Sequence, residues 1–368
     1  MDKLAFNLMF NSPVHMVKRD AIPWWKSWTI RIISVILALI VCGIITILLT
    51  DLNPIDVYVT MVKGAVGTPR LVWNLFQNTA ILLCISLAVT PAFKMKFWNI
   101  GAEGQVLIGG LATAGCIITL GEKVSAPVLM LMMIVASIVA GAIWGLIPAF
   151  FKAKFNSNET LFTLMMNYIA IQLVAYFSLE WSVPKGSGTP RVLEFGQIPA
   201  LFGQKYLINI LVVILITVLM YIYLKYSKQG YEISVVGESE NTAKYIGINV
   251  KKVILRTMAI SGAICGIAGF LLVSGTDHSL KSDTAGGRGF TAIMVSWLAK
   301  FHPVFMIVTS LLIVFLEKGA SRISEAYRLN SSFSDIITGI IIFFIIGSEF
   351  FINYSLKFNF KKQKEEIK

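Results

Sequence analysis

The chain has 368 residues, of which 56% are hydrophobic and only 14% charged, with a mean hydropathy of +0.74. A soluble domain carries about 25% charged residues, so this composition excludes an ordinary soluble enzyme. The net charge of +12 suggests nucleic acid at first sight. The Lys and Arg residues sit instead in short connections between apolar runs, the pattern of membrane-orienting cations.

Taken in chain order, apolar windows, most of them long enough for a hydrocarbon slab of about 30 Å, fall at residues 28–50, 71–89, 99–120, 126–150, 159–180, 207–224, 253–274, 290–299, 303–316 and 334–351. They predict an all-α polytopic membrane protein with about ten transmembrane helices. The eighth window, between Gly286, Gly287, Gly289 and Pro303, is too short to span alone and reads as re-entrant or broken. Residues 1–27 form a basic cytoplasmic N-terminal extension, 28–351 the transmembrane domain and 352–368 a basic tail ending KKQKEEIK.

With the N-terminus inside, about 21 of the 32 Lys and Arg residues fall on the cytoplasmic side. An even number of spans then returns the C-terminus to the same side. The one long connection on that side, residues 225–252, holds no run that could enter the bilayer. Within it, residues 238–248 have a helix-compatible pattern, with Ala243, Tyr245 and Ile246 apolar and Gly247 as a C-terminal stop.

Cys42, Cys84, Cys116 and Cys265 lie inside apolar runs without Cys-x-x-Cys spacing, so they read as packing residues. His15, His278 and His302 are scattered, which leaves a metal site little to build on. No Gly-Lys dipeptide occurs, so a Walker A loop is absent and ATP is not hydrolysed by this chain. No catalytic residue set converges either.

The most unusual segment is FWNIGAEGQ at residues 97–105, where Asn99, Glu103 and Gln105 open an apolar run beside Gly101 and Gly104. Two readings stand. Glu103 caps the amides of the first turn in a packing hinge, or the segment belongs to a gate or translocation path. The small residues Gly109, Gly110, Ala112, Ala114 and Gly115, and later Ser261, Gly262, Gly266 and Gly269, predict tight helix packing. Thr163 and Asn167, four apart, share a face with Tyr168 close by, and a path-lining face is favoured over interhelical bonding. In the eighth window Phe290, Thr291, Ser296 and Trp297 stand near a Gly-rich break. Rings beside hydroxyls suit a flat, polar-edged solute such as a sugar or base.

These residues resemble a known family. FWNIGAEGQ is similar to the hallmark of the permease subunits of ATP-binding-cassette (ABC) importers for nucleosides and simple sugars, the ribose-type branch. ETLFTLMMNYIA (159–170), GESENTAKYIGINVKKV with SGAICGIAGF, and GRGFTAIMVSWLAKFHP continue the resemblance in order from about residue 71 to 351. Arg288 stands where the family usually has an aromatic residue, and Ser296–Phe301 replaces a small-residue run.

The resemblance implies a transporter subunit, not an enzyme, in a bacterial cell (inner) membrane. It implies no cofactor on this chain, with ATP and Mg held by a partner ATPase of two nucleotide-binding domains. A second, diverged permease and an external substrate-binding protein complete the expected assembly, with the lipid bilayer as surroundings and no nucleic acid. The solute is expected to be a nucleoside or, next, a simple sugar. The expected path residues are Asn99, Glu103, Gln105, Thr163, Asn167, Tyr168, Phe290, Ser296 and Trp297. The segment carrying Glu238, Ala243, Tyr245, Ile246 and Gly247 is expected to couple to the ATPase. The alternative, an ion-gradient-driven secondary transporter, needs an intramembrane ionisable relay; Glu103, Glu159, Glu317 and Asp335 offer only edge positions.

Overall fold

The computed structural model describes residues 14–19, 23–50 and 52–358; most of the basic tail and of the N-terminal extension lies outside them. Among the described residues nine helices are long and apolar enough to cross a membrane. The chain divides into two compact units, one of residues 66–315 and one made from both ends of the sequence.

The larger unit contains α3 (Pro69–Lys94), α4 (Ala102–Leu120), α5 (Ala126–Phe155), α6 (Glu159–Glu180), α7 (Leu207–Tyr226), α8 (Lys228–Glu238), α9 (Glu240–Tyr245), α10 (Val250–Leu272) and α11 (Arg288–Leu298). α10 continues into a π-helical turn, Val273–Asp277. Thr68 caps α3 and Asn158 caps α6, each accepting a backbone N–H of the first turn. α3 and α10 are the enclosed spans, each with 78% of its apolar window buried, whereas only 22% of α5 is buried. A helix apolar all round yet unburied is shaped for lipid.

Small residues bring α4, α5 and α10 together, as their spacing predicts. A Cβ built on Gly109 would lie 2.5 Å from the Gly266 Cα, and one on Gly141 would lie 2.9 Å from Gly266 Cα and N. Gly115 does not share this contact and faces the Trp181 ring. Hydroxyls buried in the spans mostly return to their own backbone; on α3, Ser86 and Thr90 each donate to a carbonyl four residues back.

The second unit contains β1 (Val14–Lys18), α1 (Trp24–Leu49), most of α2 (Pro54–Val66), the end of α12 (Pro303–Tyr327), α13 (Ser331–Asn353) and β2 (Tyr354–Phe358). α1 and α13 run antiparallel, with Arg31 ion-paired to Glu349 at 2.5 Å and the Cys42 thiol against the Ile337 carbonyl. β1 and β2 pair antiparallel from Val14↔Phe358 to Lys18↔Tyr354. The paired ribbons set the start of α1 beside the end of α13.

The expectation of about ten crossings, one of them short or broken, agrees with these helices. The eighth window is an 11-residue helix, α11, about 16 Å long at 1.5 Å per residue, and it cannot span alone. α12 conversely runs eleven residues beyond the window that ended at 316.

Candidate functional site

After α3 the backbone leaves the helix at Met95 and resumes regular structure only at Ala102. Non-helical backbone at membrane depth must find partners inside the protein, and the unusual sequence here supplies them. Asn99 Oδ1 accepts the Gly101 N–H at 3.0 Å, and Thr163 Oγ1 accepts the Ile100 N–H at 3.2 Å. One turn deeper on α6, Asn167 donates to the Ile100 carbonyl and accepts the Gly104 N–H, both at 2.8 Å. Asn99 also donates to Ser261 on α10, and Gln105 to Asn99. Asn99, Gln105, Thr163 and Asn167 are all buried; together they suture α4, α6 and α10 around an unwound segment.

Glu103, 6% exposed, opens α4 but does not cap its own first turn. Its carboxylate accepts the N–H groups of Gly287 and Gly289, both at 2.7 Å. These are first-turn amides of α11, which have no intrahelical acceptor and sit at the positive end of the helix dipole. Gly287 has φ +73°, and at Gly289 a Cβ would fall 2.7 Å from the Glu103 Cα. Glycine at both positions lets two helix starts meet across one carboxylate.

Residue 288 projects from this junction. The Arg288 guanidinium donates to Asn78 Oδ1 at 2.9 Å and to the Thr284 carbonyl at 3.4 Å. Asn78 in turn donates to the Asn74 carbonyl at 2.8 Å, while its neighbour Gln77 donates to Thr276 in the π turn at 2.7 Å. Gln77, Asn78 and Arg288 are not among the residues expected for the path. The available signal was an adjacent pair of amides in the apolar run of α3, together with an arginine at membrane depth.

α11 buries Ala292, Val295 and Ser296, and the Ser296 hydroxyl donates to the Ser86 and Ala292 carbonyls. Phe290 and Trp297, seven residues apart, remain on its open face. Trp297 lies 5.7 Å from the Trp98 ring and 6.4 Å from that of Phe93. Of the nine expected path residues, Tyr168, Phe290 and Trp297 are exposed, and the other six are buried in the framework.

In the connection between α7 and α10 the single helix expected over 238–248 is corrected to two. Ser239, extended at φ −158°, ends α8, and its hydroxyl caps α9 through the Thr242 N–H. Glu238 therefore belongs to α8, and α9 is only six residues long. Gly247, at φ +84°, makes the closing turn and donates to the Lys244 carbonyl.

Ala243 does not share an outward face with Tyr245 and Ile246, because it is buried with Ile233, Val236, Met95 and Phe97. Tyr245, at 92% exposure, and Ile246 face outward. Glu232 and Arg256, paired at 2.9 Å, fasten α8 to α10.

A multi-pass helical bundle whose buried polar residues serve interrupted helices, and whose surface is largely apolar, is the architecture of a membrane permease. The chain belongs to the family described as branched-chain amino acid transport system / permease component, which matches residues 71–346. It is 27% identical to the glucose ABC transporter permease protein TsgB13 of Haloferax volcanii, over 96% of each chain. It is 28% identical to the guanosine ABC transporter permease protein NupP of Bacillus subtilis, over 92% of this chain and 97% of that one. A second B. subtilis guanosine permease, NupQ, matches 56% of this chain at 27% identity and is covered over 67% of its own length. The chain is thus a transmembrane subunit of an ABC transporter and not itself the catalyst.

Proposed function

We propose that this subunit forms one side of the import path for a nucleoside, with a simple sugar as the second choice of solute. The reading is carried by full-length similarity to a guanosine permease; the similarity to a glucose permease supports the second choice. Open aromatic rings on α11 agree with a flat solute. Tyr168, Phe290 and Trp297 are the side chains offered to the solute. Asn99, Glu103, Gln105, Thr163, Asn167 and Ser296 hold the frame behind them. Uptake of radiolabelled guanosine in cells carrying the complete transporter is expected to survive an ionophore and to be competed by other nucleosides. Competition by glucose or ribose alone would replace the nucleoside.

The assembly we infer contains an ATPase subunit with two nucleotide-binding domains, which holds ATP and Mg, and an external binding protein that delivers the solute. A second, diverged permease faces this one, a reading supported by the occurrence of NupP and NupQ in one organism.

Both ends are assigned to the cytoplasm of a cell membrane. The cation count supports this, and the β1–β2 pairing calls for an even number of crossings. Residues 278–298, a loop followed by the half-length α11, supply the tenth as a broken crossing. A cysteine placed at Asn241 is expected to resist an impermeant thiol reagent in intact cells and to react after lysis. Labelling from outside would reverse the orientation.

Tyr245 and Ile246 are proposed to seat in the ATPase, while Ala243 anchors the segment to its own protein. Replacing both exposed residues with Asp should lower uptake on the order of tenfold or more, as loss of a buried contact centre does. Insertion and the amount of protein in the membrane should not change. Normal uptake in that variant would make the segment an ordinary loop.

A further inference from the structure

We propose that Arg288 is a specificity-determining residue of the solute path, selecting a solute that presents a planar pair of hydrogen-bond acceptors, of which the O6/N7 edge of a 6-oxopurine nucleoside is the model. The inference rests on the nucleoside reading above.

An arginine at membrane depth is expensive, and it normally faces a partner or a polar cavity. Arg288 has no carboxylate partner to account for it. Its two acceptors, Asn78 Oδ1 and the Thr284 carbonyl, are neutral, and among the described residues it forms no ion pair. The carboxylate in the same junction, Glu103, is taken up by the amides of Gly287 and Gly289. Two neutral acceptors leave much of the five-donor fork of Arg288 unused.

The surroundings are built for a polar guest. The bonded series Arg288–Asn78–Asn74 runs along α3 to an exposed residue, Asn74. Beside it Gln77, 1% exposed, donates to Thr276, while its own Oε1 has no donor among the described residues. An under-used guanidinium held only by neutral acceptors calls for a ligand that offers it further acceptors. A guanidinium pairs with O6 and N7 of guanine in a bidentate contact, whereas adenine places an N6 amino donor at that edge. Gly287 leaves the approach open, since a Cβ there would meet nothing within 4 Å.

The test compares uptake of radiolabelled inosine, adenosine and ribose by the full transporter carrying wild-type Arg288, Arg288→Lys or Arg288→Met. The binding protein is the same throughout, so a changed ratio reports on the permease. Lysine keeps the charge but loses the fork. Both variants are expected to lower the inosine-to-adenosine ratio about tenfold, the order of one bidentate contact, with adenosine uptake held within about twofold.

An unchanged ratio in both variants, with nucleosides still carried, would overturn the inference and leave the nucleoside reading standing. Equal loss of both nucleosides would also overturn it, assigning Arg288 to structure alone. Uptake of ribose but of neither nucleoside by the wild type would overturn the nucleoside reading and the inference with it.

Discussion

Replacing Gly262 with valine is expected to leave no monodisperse protein after detergent extraction. A Cβ at this position would sit 2.8 Å from the Gly141 carbonyl carbon and 3.1 Å from the Ala142 Cα, and backbone on both sides cannot swing away as a side chain can. Overpacking a close-fitted contact costs about 1–3 kcal/mol or more, and valine adds two further methyl groups to the clash. In a membrane, close backbone approach is a large part of what holds helices together, so α5 and α10 should separate. Gly347, with nothing within 4 Å of its Cβ position, is the control: Gly347→Ala should extract and elute like the parent. A normal elution profile for Gly262→Val would show that the α5–α10 contact can open without loss of the fold.

The second large effect is expected at Glu103. Its carboxylate is the acceptor for two first-turn amides of α11, and bonds to a charged group contribute about 1.5–3 kcal/mol each. Glu103→Ala strips both and leaves two N–H groups unpaired at membrane depth, which itself is costly. α11 should then lose its fixed place, and with it Phe290, Trp297 and Arg288. Uptake per inserted molecule should fall on the order of a hundredfold, which corresponds to only about 2.7 kcal/mol of that loss. Glu103→Gln retains one acceptor oxygen and should fall about tenfold. Near-normal uptake by the alanine variant would mean that the half-helix is positioned by its packing alone.

The spans were legible because a run of about twenty apolar residues has few other uses. Their ends were not, because hydropathy reports lipid contact and a helix does not stop where lipid does. The window for α12 ended before Glu317, yet the helix continues past Arg322 and Glu325, which pair with each other at 2.8 Å. α8 was missed for a different reason. Gly230 and Gly237 look like helix breakers, but each lies where a Cβ would strike a carbonyl, of Leu224 and of Lys94 respectively.

At the site, the oddity of FWNIGAEGQ was visible, whereas the direction of its bonds was not. Glu103 meets amides 184 and 186 residues away, a pairing that no local pattern encodes. Thr163 and Asn167 share a face, as their spacing gives, yet both are buried and bond to a neighbouring segment, the reading placed second to a path-lining face. What that face touches is the unwound backbone of residues 99–104.

The unit built from both ends of the chain also sets a schedule for synthesis. Within residues 66–315, α3 and α4 wait for α11, whose Arg288 and first-turn amides come 184 to 210 residues after their partners. α1 waits longer: α2 reaches it early, the Tyr58 hydroxyl donating to the Leu39 carbonyl, but its Arg31 pairs with Glu349, 318 residues later. At about 5–20 residues per second, the first helix waits some tens of seconds in lipid for the last. During that interval the Arg31 charge lacks its carboxylate; the Trp28 ring lies 5.7 Å away on its own helix. A ribosome that stalls before α13 thus leaves a membrane-inserted chain marked by a cation without its carboxylate, a difference by which unfinished copies can be told from finished ones.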